Sequence, residues 1–164
     1  LTTGNKLIFD GGTDATYISE DIADRLRFFV GGAEFMRFTE DTADTVTIFK
    51  DTTFAGDINI DSALLSNQEN TDVDTGTETV ASVAIATYTA AFFDFVIKKT
   101  TNVRSGTVYA CHDGTNVEFT ETSTQDLGDT SDVTLSVDIS GGNMRLLATV
   151  TSDDWSVKSL IRAI

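Results

Sequence analysis

The sequence predicts an all-β protein in two parts, a short repeat β-shaft followed by an antiparallel β-sandwich of jelly-roll-like type. Three observations predict it. Ser19-Glu-Asp-Ile-Ala-Asp-Arg-Leu-Arg-Phe-Phe29 returns twenty positions later as Thr39-Glu-Asp-Thr-Ala-Asp-Thr-Val-Thr-Ile-Phe49, with five of the eleven positions identical. Threonine is the most abundant residue, at 27 of 164, and proline is absent; Thr favours strands and Pro interrupts them. The C-terminal half carries alternating apolar runs punctuated by Gly and Asn turn signals.

A unit of about twenty residues is too short to close a core of its own. Residues 1–60 therefore read as an arm that buries its apolar side chains against further copies. Leu7-Ile-Phe9 is a strand running into the turn Asp10-Gly-Gly12, and Thr16-Tyr-Ile18 is a second strand. Leu26, Phe28 and Val30 alternate with Arg25, Arg27 and Phe29 before Gly31-Gly32 turns the chain back. Ala33 to Phe38 returns, and Val46 to Phe49 opens the next cycle. Between strands lies an acidic corner, Glu20, Asp21 and Asp24, then Glu40, Asp41 and Asp44. Asp bonds readily to nearby backbone amides, which suits a bend. Leu26, Phe28, Phe29, Val46, Ile48 and Phe49 are the expected contacts between copies. Burying each large side chain is worth roughly 1.5–3 kcal/mol, and a monomer would leave them as an exposed patch. The competing account docks the arm on the C-terminal domain of the same chain.

A connector is expected at 61–76. Asp61-Ser-Ala-Leu-Leu-Ser-Asn-Gln-Glu-Asn70 can make one or two helical turns with Asp61 as N-cap, and Thr71 to Gly76 reads as loop, with a domain boundary near residue 75. Residues 77–164 read as seven strands: Thr79 to Tyr88, Phe92 to Lys98, Thr107 to His112, Val117 to Thr122, Val133 to Ile139, Met144 to Thr151 and Trp155 to Ile164. Asp113-Gly-Thr-Asn116 and Ser140-Gly-Gly-Asn143 are hairpin signals. The last strand is expected to pin the C-terminus into a sheet. The sequence opens at Leu1 in mid-pattern, which predicts a piece of a longer chain.

Charge narrows the partners. Twenty-six acidic residues face eleven basic ones, a net charge of −15. Nucleic acid and anionic membranes need a basic surface, so neither is an expected partner. No run approaches the eighteen or so apolar residues of a membrane span, and no signal peptide is visible. The single cysteine, Cys111, cannot form an intrachain disulfide. Beside it stands His112, the one histidine. Neighbouring strand residues point to opposite faces, so the pair cannot converge on one metal ion; Cys111 reads as buried and His112 as turn-side. Asp72-x-Asp74-x-Gly76 resembles the start of a calcium loop, but Val83 stands where the closing carboxylate belongs. The Glu-Asp corners are the better candidates for divalent cations; no other cofactor is expected. No phosphate-cradling Gly loop, nucleophile elbow or dinucleotide fingerprint occurs. Among 26 acids some pair always suits glycoside hydrolysis, so such pairs carry little weight. The expectation is a protein that is not an enzyme.

The stretch Tyr17-Ile-Ser-Glu-Asp-Ile-Ala-Asp-Arg-Leu-Arg-Phe-Phe-Val-Gly-Gly32 resembles the short β-repeats of bacteriophage tail-fibre and head-fibre shafts. Gly106 through His112-Asp-Gly-Thr-Asn-Val-Glu-Phe119 to Trp155-Ser-Val-Lys-Ser-Leu-Ile-Arg-Ala-Ile164 is similar to distal domains of phage structural proteins. The resemblance implies a homotrimer on the virion surface, on tail or capsid, with an intertwined shaft and a β-sandwich head bound to other virion proteins. It further implies head loops that bind a host-surface glycan or protein. The candidate loop residues are Asn102, Arg104, Asp113, Thr115, Asn116, Asp154 and Trp155, although a Trp in such a strand is more often core. The alternative role is capsid decoration or trimer locking without a receptor; a depolymerase spike is a third.

Overall fold

The structure, a computed structural model, describes residues 6–11 and 15–164. Leu1 and Gly12, and with Gly12 half of the first Gly pair, lie outside the described residues. The described residues are all-β, every pairing is antiparallel and no helix occurs among them. The chain divides into two compact units, Leu1–Thr53 and Phe54–Ile164.

The first unit is a five-stranded meander of β1 (Lys6–Ile8), β2 (Tyr17–Glu20), β3 (Arg25–Val30), β4 (Ala33–Thr39) and β5 (Thr45–Ile48), neighbours in sequence being neighbours in the sheet. Gly31 and Gly32 join β3 to β4 with φ of 57° and 79°. Two successive left-handed residues make a type I′ turn, whose twist matches the flanking strands and which Gly alone enters without strain. The repeat is thus one strand, corner, strand and glycine turn, restarted after twenty residues. The two acidic corners sit side by side, the Glu40 N–H donating to the Asp24 carbonyl at 2.9 Å. Asp24 itself takes φ of 65°, a conformation its short polar side chain tolerates.

The second unit has nine strands: β6 (Ile58–Ile60), β7 (Ala63–Val73), β8 (Gly76–Ala84), β9 (Ala90–Lys99), β10 (Asn102–His112), β11 (Val117–Ser123), β12 (Val133–Ser140), β13 (Asn143–Val150) and β14 (Trp155–Ala163). A six-stranded sheet in the order β11-β10-β9-β14-β7-β6 packs on a three-stranded sheet in the order β12-β13-β8. Period-two alternation supplies the core between them. Phe93, Phe95 and Ile97 of β9, Val108 and Ala110 of β10 and Val157 and Ile161 of β14 face Val133, Leu135, Val137, Met144, Leu146, Ala148, Val80 and Val83 of the small sheet. The seven expected strands correspond to β8 through β14, with Tyr88 falling beyond the end of β8 in the following turn. Six strands over three is not the even division of a jelly roll. The turns joining β9, β10 and β11 are too short to cross the roughly 10 Å between packed sheets, so that run stays in one sheet.

The expected connector is corrected most strongly. Most of the connector is strand rather than helix or loop: β7 lies between β14 and β6, registered from Leu64↔Ala163 to Val73↔Trp155, and of the expected loop only Asp74 and Thr75 lie outside strands. The unit boundary falls at Thr53/Phe54 rather than near residue 75. The sequence hides this strand because its inward row is polar. Ser66 is buried, and Gln68 and Asn70 are half-buried. Gln68 resolves the polarity: its side-chain amide donates to the Ser82 carbonyl and accepts from the Ser82 N–H, both at 2.9 Å. A side chain of one sheet thereby pairs with the free edge of the other. Asn70 adds a bond to Glu78 at 2.7 Å. Two bulges blur the remaining signal. One, in β7 opposite Trp155 and Val157, turns Val73 into the core and leaves Asp72 outside. The other, in β8, buries both Val80 and Ala81.

Replacing Gln68 by Ala leaves both Ser82 backbone groups without partners, a loss of about 1–3 kcal/mol. Thermal unfolding of Gln68→Ala should show a clearly lowered midpoint; an unchanged midpoint would mean that the clamp contributes nothing.

Candidate interaction surfaces

Cross-strand rows sort the five-stranded sheet into two unlike faces. One face carries the row Leu7–Ile18–Phe28–Met36–Ile48 and, beside it, Leu26–Phe38–Val46. Phe28 and Phe38 meet edge to face, with ring centroids 5.8 Å apart. Val46 and Ile48 remain 59% and 46% exposed, and Leu26 and Phe38 are comparably open. A one-layer sheet has no second layer of its own to cover such a face.

The opposite face is polar and already satisfied. Arg27 donates to both carboxylate oxygens of Glu34 at 2.9 and 2.6 Å, and Arg37 donates to the same two at 2.8 Å. Asp21 pairs with Arg25 and, at 2.9 Å, with Arg27. Tyr17 stacks on Phe29 at 4.4 Å, Arg27 lies over Phe29, and Arg37 over Phe49. The six side chains expected between copies therefore divide. Leu26, Phe28, Val46 and Ile48 share the apolar face; Phe29 and Phe49 lie on the polar one. Adjacent aromatics in a strand must point opposite ways, and a bulge that makes Phe35 the extra residue opposite Phe28 and Phe29 preserves this split.

At the corner end, the edge of the apolar face becomes a groove of about 480 Å³ lined by Leu26, Phe38 and Val46 and by Glu20, Asp24, Glu40 and Asp44. The two corners are thus brought together within one chain.

The loop candidates of the second unit do not converge. Asn102 and Trp155 lie at one end of the sandwich, Asp113 to Asn116 at the other, the length of β10 apart, about 30 Å. Trp155 is 1% exposed and donates its indole N–H to Ser152 Oγ at 3.0 Å, so it is core. Arg104 is no loop residue: it lies within β10 on the inward side, donating to the Val133 carbonyl at 2.9 Å with Glu121 3.6 Å away. Asn102 accepts from the Asp129 N–H at 3.1 Å and holds the link between β11 and β12. Asp113 accepts from the Thr115 and Asn116 N–H groups and from the Asn116 amide. The Asn116 N–H above all, with the Asn116 amide and the Thr115 N–H, holds its carboxyl down to about 2. The loop's polar side chains are thereby occupied with each other, apart from Thr115.

Asp72 and Asp74, singled out by their spacing, are joined by Asp154, one carboxylate oxygen from each lying within 4.8 Å of the others, all exposed. Asp154 comes from the β13–β14 turn, a partner that no local spacing reveals. Cys111 is exposed, not buried as expected, because Val108 and Ala110 set the inward register of β10. His112 is turn-side as expected, its Nε2 bonding to the Tyr88 carbonyl at 2.7 Å while Nδ1 accepts from the Gly114 N–H.

No protein-family model matches the chain, and no curated protein matches it. Among solved structures, it superposes on the tailspike protein of Acinetobacter baumannii phage AM24 with a TM-score of 0.38 and 10% identity, over 62% of this chain. The superposed part spans about a quarter, 26%, of that tailspike chain.

The polar-face network sets a pH dependence. Hydrogen bonds from Arg27, then Arg37, lower the Glu34 carboxyl from 4.5 to about 2, and Arg25 likewise holds Asp21 below its ordinary value. A carboxyl depressed by folding stabilises the fold above its unfolded pKa and loses that contribution as pH falls through the folded one. The first unit should therefore weaken between about pH 4.5 and pH 2, and Glu34→Gln should flatten that acid limb. An acid titration followed by circular dichroism checks this; identical limbs in variant and parent would refute it.

Proposed function

We propose that this chain is a structural component of a bacteriophage virion, a fibre protein that trimerises through its N-terminal sheet and carries a β-sandwich head for host attachment. The reading is of a non-enzymatic protein. It rests above all on the apolar face built from Leu26, Phe28, Phe38, Val46 and Ile48, a contiguous exposed patch of the kind that marks an interaction site. Covering it with the same face of further copies removes that apolar surface from water. The repeat supports this, because a period of twenty residues presents the same face again with each cycle. The likeness of residues 17–32 to fibre-shaft repeats supplies the virion context. The net charge of −15 keeps such a protein soluble while its copies find one another.

A second reading, capsid decoration without receptor binding, is favoured by one group of observations. Of the expected receptor loop residues, Trp155 is buried, Arg104 faces inward, and Asp113 and Asn116 bind each other. Loops so occupied have few groups left for a ligand.

Sedimentation of the full chain tests self-association. The parent should sediment as a trimer, and Phe28→Asp should give monomers whose second unit keeps its β signature. Phe49→Asp, on the polar face, should disturb assembly far less. A parent that stays monomeric at all working concentrations would end the fibre reading. Virion attachment without any binding to host cells would favour decoration.

A further inference from the structure

The outer face of the six-stranded sheet holds a second concave surface that none of the expected sites includes. Registration places Arg162, Phe92, Tyr109 and Thr120 in one cross-strand row, and Ala90, Cys111 and Glu118 in the next. The second row begins with two small side chains between larger neighbours. The result is a groove of about 370 Å³ with Ala90 and Cys111 at its base and the side chains of Phe92, Tyr109, Glu118 and Thr120 around it. That volume is in the range of small-ligand sites.

The aromatic wall is held in place before any ligand arrives. Phe92 and Tyr109 meet at 5.8 Å with an interplanar angle of 82°. Arg162 lies over Phe92, 4.9 Å from its centroid, and is tethered to Asp94 at 3.2 Å, while Asp94 accepts from Thr107 at 2.6 Å. Tyr109 nevertheless stays 43% exposed. Beside Tyr109 on β11, the Glu118 carboxylate and the Thr120 hydroxyl have no polar partner among the described residues, and neither has the Tyr109 hydroxyl.

We propose that this groove binds a neutral saccharide, a ligand class that deepens the attachment reading above and rests on it. A sugar ring has a C–H face that packs on an aromatic ring and a rim of hydroxyl groups. An ionised carboxylate is an acceptor only and can take two O–H donors, and such charge-assisted bonds are the stronger ones. Tyr109 offers the ring, Glu118 the acceptor, and Thr120 and the Tyr109 hydroxyl the remaining polar contacts. Sialylated or uronate sugars are disfavoured by Glu118 and by the net charge of −15. A protein partner fits less well. A stable interface covers about 800 Å² per side, and here the ion pairs Arg162–Asp94 and Lys158–Glu69 interrupt the face beyond the groove.

Saturation-transfer NMR on the full chain tests the site, with maltotriose, lactose and chitotriose as neutral probes and sialyllactose and trigalacturonate as anionic ones. At least one neutral probe should bind and both anionic probes should fail. Tyr109→Ala should weaken binding at least tenfold at an unchanged melting temperature, and Glu118→Gln should weaken it several-fold. If Tyr109→Ala melts early, Glu118→Gln and Thr120→Val decide in its place. The proposal is overturned if no neutral probe shows transfer, if the groove variants bind like the parent, or if the anionic probes bind as well. It is also overturned if Tyr109→Ala changes the sedimentation of the parent, which would make the groove a contact between copies. Phe28→Asp separates the two readings: a variant that binds sugar per chain like the parent keeps the site even where self-association fails.

Discussion

In a β-strand successive side chains leave on opposite faces, and in this chain that alternation decides what each unit can do alone. In the first unit it gathers Leu7, Ile18, Phe28, Met36 and Ile48 into one continuous apolar row and sends Arg27, Arg37 and Ser19 to the other side. The polar face closes on itself through guanidinium–carboxylate pairs. The apolar face has nothing comparable within a single layer. A sheet divided so cleanly gains stability when something dry covers its apolar side, because the backbone ladder contributes little net stability over its bonds with water. The proposed assembly follows from that imbalance rather than from any particular contact.

The second unit meets the same constraint by folding a second sheet over the first. Its core is continuous, from Phe93 and Phe95 on the large sheet to Met144 and Leu146 on the small one. The sheets are unequal, six strands against three, so the edge of β8 would end beside the polar inward row of β7. Gln68 meets both needs at once, acting as a short piece of strand whose amide pairs with Ser82. This closure leaves the outer face of the large sheet free to differ from its inner one. The ring pair of Phe92 and Tyr109 can then stand in the open without weakening the core.

Much of the acidic excess also has local work. Asp113 and Asp129 accept hydrogen bonds within their own turns, Asp132 and Asp153 from amides or hydroxyls of other turns, and each has its carboxyl lowered as a result. Asp132 binds Thr151 and Ser152, and Asp153 binds Thr75, tying separate turns at one end of the sandwich to each other. In the absence of proline, these carboxylates do for the loops what rigid residues do elsewhere. Their charge reads as a global property in the composition and as a set of turn staples in the fold.

The sequence by itself determined the β class, the seven strands from β8 to β14, the Gly31-Gly32 and Gly141-Gly142 turns and the apolar character of Leu26, Phe28, Val46 and Ile48. All of these are short-range signals, a period of two or a dipeptide that only one turn type accepts. The tertiary structure decided the rest. The β7 strand was illegible because Ser66, Gln68 and Asn70 face inward, Gln68 being satisfied by Ser82 fourteen positions away and Asn70 by Glu78 eight positions away. Phe29 and Phe49 were assigned with Phe28 and Ile48 because repetition identifies a residue's kind and the pleat alone identifies its face. Arg104 and Cys111 were misplaced between inside and outside for a like reason, since the register of the neighbouring strands chooses the inward row. The groove beside Tyr109 gave no signal at all: Phe92, Tyr109 and Glu118 are scattered along the chain and meet only because β9, β10 and β11 pair in this register.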